Sequence, residues 1–354
     1  LNILLVSATG SGIGLAHRLT FEKHNVAVHI DDPAVITALG NTFSYSDDAP
    51  RDAKAADLVI FDGHGMGQIA DNLRKEGVKV WGGGALSDRL ETDPEFALDA
   101  LQRLGIPTGH TNGHPWSLTV EGWFGGKRFL YPFNWTIEDH GLLTGDLGAE
   151  VDFISSVTRN IHGSSLVASS FLLPLVPLLE RAHYSGQVAV NVTFTDDGKA
   201  FATGIVPRLR VEPTLSLLQS MPGYGEVIER CFQKAYLDLS HGGFGKFYFT
   251  AALRLYVPPY PYGVPKPGAE FWGTMVREGF IPQGLVVDGC KMTVAGTSGV
   301  VGVTLGRASK LETALRQCAL RARTIKLPGL SYRLDHGHRV EKTLDRINNM
   351  GWLR

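Results

Sequence analysis

A chain of 354 residues can bury large cores and divides naturally into two or three domains. Its 34 basic and 35 acidic residues leave a formal charge of -1, which excludes both the basic footprint of a nucleic-acid binder and an acidic tail. No run approaches the roughly 20 apolar residues of a membrane span, since the longest, residues 171–179, is interrupted by Pro174 and Pro177.

The sequence opens into a strand, without the basic start and cleavage region of a signal peptide. Cys231, Cys290 and Cys318 are odd in number and widely spaced, which fits reduced buried thiols better than a disulfide frame or a zinc site. The expectation is a soluble, cytoplasmic protein. Its partner is a small-molecule substrate or another protein, with no nucleic acid and no membrane, and a homo-oligomer is left open.

Residues 2–6 (NILLV) form the continuous apolar run of a parallel strand covered on both faces. Gly10, Gly12 and Gly14 follow, then a helical segment over 15–23 and a strand over 26–30. A strand, a glycine turn and a helix start aim backbone N–H groups at one point, so these three glycines are candidate phosphate- or ligand-binding residues. The G-x-G-x-G spacing is not the full dinucleotide fingerprint, and a tight turn with no ligand reads equally well. Residues 56–62 and 78–81 are further strands with a helix over 68–76 between them. A second glycine turn, 63–67 (GHGMG), sits at a strand's C-terminal end, where open α/β sheets bind ligands. His64 within it reads as a polar loop residue. Asp93 and Pro94 open a helix that Gly105 stops.

Residues 187–210 predict a hairpin. Val188, Val190, Val192 and Phe194 alternate with Ala189, Asn191, Thr193 and Thr195, the period of a half-buried strand. Residues 196–198 (DDG) turn the chain, 199–206 return, and Pro207 ends the pairing because it has no N–H to give. Asn191 then lies on the polar face and Arg208 just beyond the return strand. Such hairpins wall nucleotide sites, and they are also routine in mixed sheets. Toward the C-terminus a helix over 309–323 presents Leu311, Leu315, Cys318 and Ala322 to a sheet. His336 and His338 read as a solvated loop. No histidine or cysteine pair has metal-ligand spacing on a helix, so no metal site is assigned.

Seven short segments carry a family resemblance through their order: 105–108 (GIPT), 120–126 (VEGWFGG), 131–135 (YPFNW), 145–148 (GDLG), 258–261 (PPYP), 293–303 (TVAGTSGVVGV) and 332–337 (YRLDHG). The last is similar to a "YRxDIG" motif. Together they resemble phosphoribosylamine–glycine ligase, an ATP-grasp enzyme of purine synthesis, in a divergent phage-type form, and the resemblance runs the length of the chain. It implies an α/β, ATP-grasp-like fold with an N-terminal open parallel sheet and a β-rich C-terminal domain. The implied division is a Rossmann-like domain over 1–111, a reduced ATP-grasp core over 112–245, and the C-terminal domain over 246–354. It also implies ATP and Mg as cofactors, and an acyl phosphate made from ATP and a carboxylate and then attacked by an amine. Asn191 and Arg208 become the candidate catalytic residues, and Arg333 and Asp335 are expected to pair, partly buried, near the cleft.

The sequence departs from the family at three places. Several dozen residues that would form a lid, with its lysine and acidic hinge, have no counterpart between Thr111 and Ser117. Either the protein lacks a lid, or the residues that form it are missing from the sequence there. On the hairpin, Gly204 stands where the family has a magnesium-binding glutamate, and Val206 where it has Asn or Thr. Residues 149–155 (AEVDFIS) replace a "PNTGxMG" loop, and Glu150 and Asp152 would repel ATP in the absence of a metal. These losses imply a ligase of weakened or lost activity. The alternative is an inactive pseudoenzyme kept as a binding or assembly protein, in a phage for example.

Overall fold

The computed structural model describes residues 1–110, 116–220, 223–233, 248–273, 279–289 and 291–354. Cys290, the junction at Thr111 and the expected divisions at 111/112 and 245/246 lie outside them.

Five strands, β1 (Asn2–Ser7), β2 (Asn25–Ile30), β3 (Ser44–Tyr45), β4 (Leu58–Phe61) and β5 (Val80–Trp81), form a parallel sheet in the order β3-β2-β1-β4-β5. The unbroken apolar run of β1 has a direct cause. Ile3 and Leu5 pack with the helix Ile13–Phe21 on one face, while Leu4 and Val6 pack with helices Ala49–Ala53 and Gly67–Lys75 on the other. Each expected element of this region is present, with its ends moved by one or two residues.

The remaining strands are β6 (Trp116–Phe124), β7 (Phe129–Leu143), β8 (Leu147–Ile161), β9 (Gly186–Phe194), β10 (Ala200–Val206), β11 (Phe249–Tyr256), β12 (Glu270–Phe271), β13 (Phe280–Pro282), β14 (Leu285–Asp288), β15 (Lys291–Val294) and β16 (Val300–Ala308). Eight of them make one antiparallel sheet, β10-β9-β6-β7-β8-β11-β16-β13, and β12-β15-β14 make a small one. Strands β8 and β11, which come from either side of residues 245/246, are hydrogen-bonded neighbours.

The predicted hairpin is β9 and β10, paired antiparallel with a bulge between Ala202 and Gly204, and the pairing stops at Val206. Val188, Val190, Val192 and Phe194 join the main core with helices Pro94–Arg103, Leu166–Phe171, Leu311–Thr324 and Val340–Asn349. Helix Leu311–Thr324 comes so close to β16 that a Cβ at Gly306 would collide with the Ala314 carbonyl oxygen. Its buried face is Ala314, Cys318 and Ala322.

A second core joins the two large sheets. Trp81 at the end of β5 meets Trp123 edge to face, Trp123 in turn meets Tyr224 edge to face, and Trp81 donates from Nε1 to the Tyr224 hydroxyl at 3.1 Å. That hydroxyl donates to Gln187 Oε1 at 3.2 Å, and Gly82 N–H reaches the Ser185 carbonyl at 2.7 Å. The base of the hairpin is thereby fixed to the edge of the parallel sheet.

Two features near the C-terminus differ from expectation. Arg333 is fully buried and donates to Asp335 at 2.7 Å as expected, but also to Asp146 at 2.6 Å and to the Gly141 carbonyl at 2.9 Å. His336 is buried, not solvated: Gly337 turns the chain beside Leu315, and the His336 Nε2 meets the Leu315 carbonyl at 3.1 Å. Among the described residues no helix is long and apolar enough to cross a membrane.

Candidate active site

A cavity of about 1440 Å³ lies between the C-terminal ends of the parallel strands and the face of the large sheet turned away from the main core. Residues 8–11 after β1, Asp32 after β2 and 62–64 after β4 form one wall. The opposite wall is the polar side of the antiparallel strands: Ser117, Thr119, Thr136, Asn191, Thr193 and Thr203. Strand alternation puts them there, because their apolar neighbours fill the main core.

Of the residues expected at the site, Asn191 and Arg208 both line the cavity. Asn191 Oδ1 accepts from the Thr119 hydroxyl at 3.0 Å, so its amide group is the part left for the cavity. Gly204 is its cross-strand partner, and a Cβ built there would stand 3.6 Å from Asn191 Nδ2 with nothing else nearby. Arg208 is held rather than free: Nε donates to Glu91 at 2.6 Å and Nη1 to the Leu209 carbonyl at 3.3 Å. His64 lines the cavity from its exposed turn, 3.8 Å from the same glutamate.

The three glycines divide. Gly10 lines the cavity, and its N–H is donated to Ser7 Oγ at 2.8 Å. Gly12 N–H is donated to the buried carboxylate of Asp62 at 2.5 Å, and a side chain at Gly12 would run into that carboxylate. Gly14 lies within helix Ile13–Phe21, against Leu215, Gln283 and Ile281. Burial pushes the Asp62 carboxyl up to about 6, against the pull of Ser7, Gly12 and Arg208. An internal carboxylate thus takes a donor that a phosphate cradle would use.

Charged residues that the sequence reading passed over dominate the deeper part. Arg210 is enclosed between Glu121, at 2.8 Å, and Glu138. Burial pushes the Glu138 carboxyl above its ordinary range despite that arginine. Arg254 on β11 binds Asp152 at 2.6 Å, Glu212 at 2.6 Å and the Tyr260 hydroxyl at 3.1 Å. A signal for Arg254 was present: it is a single charge inside the apolar strand TAALRLY, and a strand keeps such a charge only with partners.

A magnesium nucleotide requires uncommitted cations for its phosphates and hard oxygen ligands for its metal. Among the described lining residues seven carboxylates face four arginines, with no lysine. All four arginines lie within 4 Å of a carboxylate, so none is reserved for phosphate. No group of three or more His, Cys, Asp or Glu among the described residues can hold a metal ion, and the hairpin offers an amide and a glycine. The described residues do not fit Mg-ATP.

No protein-family model and no curated protein matches the chain. Solved structures do resemble it. Phosphoribosylamine–glycine ligase from Thermotoga maritima aligns with a TM-score of 0.67 over 94% of this chain and 99% of its own, at 14% identity. The biotin carboxylase domain of a single-chain bacterial carboxylase gives 0.61 over 99% of both chains, at 12% identity. The corresponding domain of 2-oxoglutarate carboxylase from Hydrogenobacter thermophilus, solved with MgADP and bicarbonate, gives 0.63 over 99% of this chain and 93% of its own, at 10% identity. These neighbours are ATP-grasp enzymes. Likeness at such identities speaks to architecture, and the parallel sheet and the antiparallel sheet agree with it: this chain has the ATP-grasp fold.

Proposed function

We propose that this protein is an ATP-grasp carboxylate–amine ligase in plan, resembling phosphoribosylamine–glycine ligase, whose ATP-dependent step is weakened or lost. One observation carries the proposal: on the hairpin that lines the cavity, the cross-strand partner of Asn191 is Gly204, which stands where the resemblance places a magnesium-binding glutamate. Magnesium takes hard oxygen ligands, and the phosphates need the metal's charge while they are attacked. Arg208 remains but is tied to Glu91. The substrate is a small carboxylate or amine and the setting cytoplasmic. Glycine and purine synthesis enter only through the resemblance, and so does the phage-type form.

Each lost charge-assisted contact is worth roughly 1.5–3 kcal/mol. Two or three together take a micromolar site, about 8 kcal/mol, to millimolar or weaker. Calorimetry with ATP and magnesium is expected to be silent or millimolar for the unaltered chain and to strengthen in Gly204→Glu. Micromolar binding by the unaltered chain sinks the proposal.

The internal pairing of the cavity arginines favours a second reading, a pseudoenzyme that keeps the cleft as a binding or assembly surface. ADP release on mixing ATP with candidate carboxylates and amines separates the two. Any substrate-dependent release rejects the second reading, and its absence across the panel favours it.

A further inference from the structure

A further cavity, of about 750 Å³, opens among the C-terminal elements and shares no lining residue with the large one. Its apolar floor contains the buried Ala322, Ile325 and Leu327. Four exposed side chains stand around that floor: Glu270, Trp272, Arg323 and Lys326. The backbone brings them together. Phe271 of β12 is buried, so strand alternation turns its neighbours Glu270 and Trp272 to the opposite, open side. Trp272 and Lys326 form an antiparallel bridge, each N–H donating to the other's carbonyl, at 2.9 and 2.6 Å. Residues opposed in this way carry their side chains on one face, about 5 Å apart at Cβ. Arg323 comes three residues before Lys326, in the last turn of helix Leu311–Thr324.

Trp272 is 64% exposed, and among the described residues no cation lies over its ring. Nor do the side chains of Arg323 and Lys326 have an ion-pair or hydrogen-bond partner among those residues. Every arginine of the large cavity, by contrast, has a carboxylate within 4 Å. An open indole, two uncommitted cations and a carboxylate that only accepts thus surround one apolar floor. We infer that this cavity binds a nucleoside monophosphate whose base carries an amino group. The base stacks on Trp272, a contact open to any flat ring. Arg323 and Lys326 hold the phosphate. Glu270 accepts from the amino group of the base. Two cations against one carboxylate suit a single phosphate better than a chain of three. The volume lies within the roughly 300–1,000 Å³ of small-molecule sites. The inference goes beyond the proposed function and uses no residue of the large cavity, so the two fail separately.

Adenosine monophosphate, adenosine and ribose 5-phosphate are the probes, titrated without magnesium at constant ionic strength. The readouts are calorimetry and the indole NMR signal of Trp272, identified by its loss in Trp272→Ala. Adenosine monophosphate should shift that signal and bind roughly ten- to a hundredfold more tightly than either fragment, the worth of one charge-assisted contact or one stacked base. Trp272→Ala should weaken it by a similar factor. Arg323→Ala combined with Lys326→Ala should bring it down to the affinity of adenosine and leave adenosine itself unchanged. All three side chains are exposed, so the variants should keep the melting curve of the unaltered chain, which confirms that they fold. An unmoved Trp272 signal at millimolar adenosine monophosphate overturns the inference. So does ribose 5-phosphate binding as tightly as the nucleotide, or nucleotide affinity that survives Trp272→Ala intact.

Discussion

Asp62 shows what a single residue does to this site. It follows β4, is buried, and accepts the Gly12 N–H, yet burial lifts its carboxyl from an ordinary 3.8 to about 6. A carboxyl raised on folding binds more protons in the native than in the unfolded state between those values. Its stabilising contribution is therefore complete below about 4 and is lost as the pH rises through about 6. Asp62→Asn keeps an oxygen for Gly12 and removes the ionisation. Its melting temperature should be flatter than that of the unaltered chain from pH 4 to 7. At pH 7 it should be more stable by up to about 3 kcal/mol, at roughly 1.4 kcal/mol per unit. Parallel pH profiles would show that the carboxyl is not raised. Nothing local in the sequence marks it, because an aspartate after VIF reads only as a strand end. Its partner Gly12 is 50 residues away, a contact that no local pattern encodes.

At the scale of elements, legibility followed periodicity. The hairpin was readable because valines alternate with polar residues and a DDG turn is followed by Pro207. The placement of Asn191 follows from that alternation alone. The bonds that hold Arg208 and Arg210 to Glu91, Glu121 and Glu138 do not, because they cross between separate elements. His336 was misread for the same reason: its burial depends on Leu315, which belongs to another helix.

The segment 332–337 gives the element-scale prediction. Asp335 pairs with Arg333 and also accepts the Gly145 N–H at 2.9 Å, tying the turn between β7 and β8 to the C-terminal segment. Because Asp146 shares the guanidinium, Asp335→Ala should cost only about 1–2 kcal/mol. Removing Asp146 and Asp335 together strands a buried arginine, for which about 3–5 kcal/mol is expected. Urea unfolding of the two single variants and the double variant checks this, and strict additivity would mean the two carboxylates do not substitute for one another.

For the molecule as a whole, the large sheet matters most. It takes strands from both sides of residues 245/246 and pairs β8 with β11 over five register positions. Domains that share a sheet are expected to lose it together, so calorimetric unfolding should show one transition for residues 116–354. Two resolved transitions that separate β6–β10 from β11–β16 would contradict a continuous sheet.

That β8–β11 pairing also bears on how the chain is made. Thr250 bonds Thr158 across 92 residues of sequence. At roughly 5–20 residues per second on a ribosome, β8 waits on the order of 5–20 s for its neighbour to be synthesised. Meanwhile its edge can pair with any other nascent strand. Over that stretch β8 carries Ser155, Ser156, Thr158 and Arg159 instead of a continuous apolar run, a composition that makes premature partners less adhesive until the right one emerges.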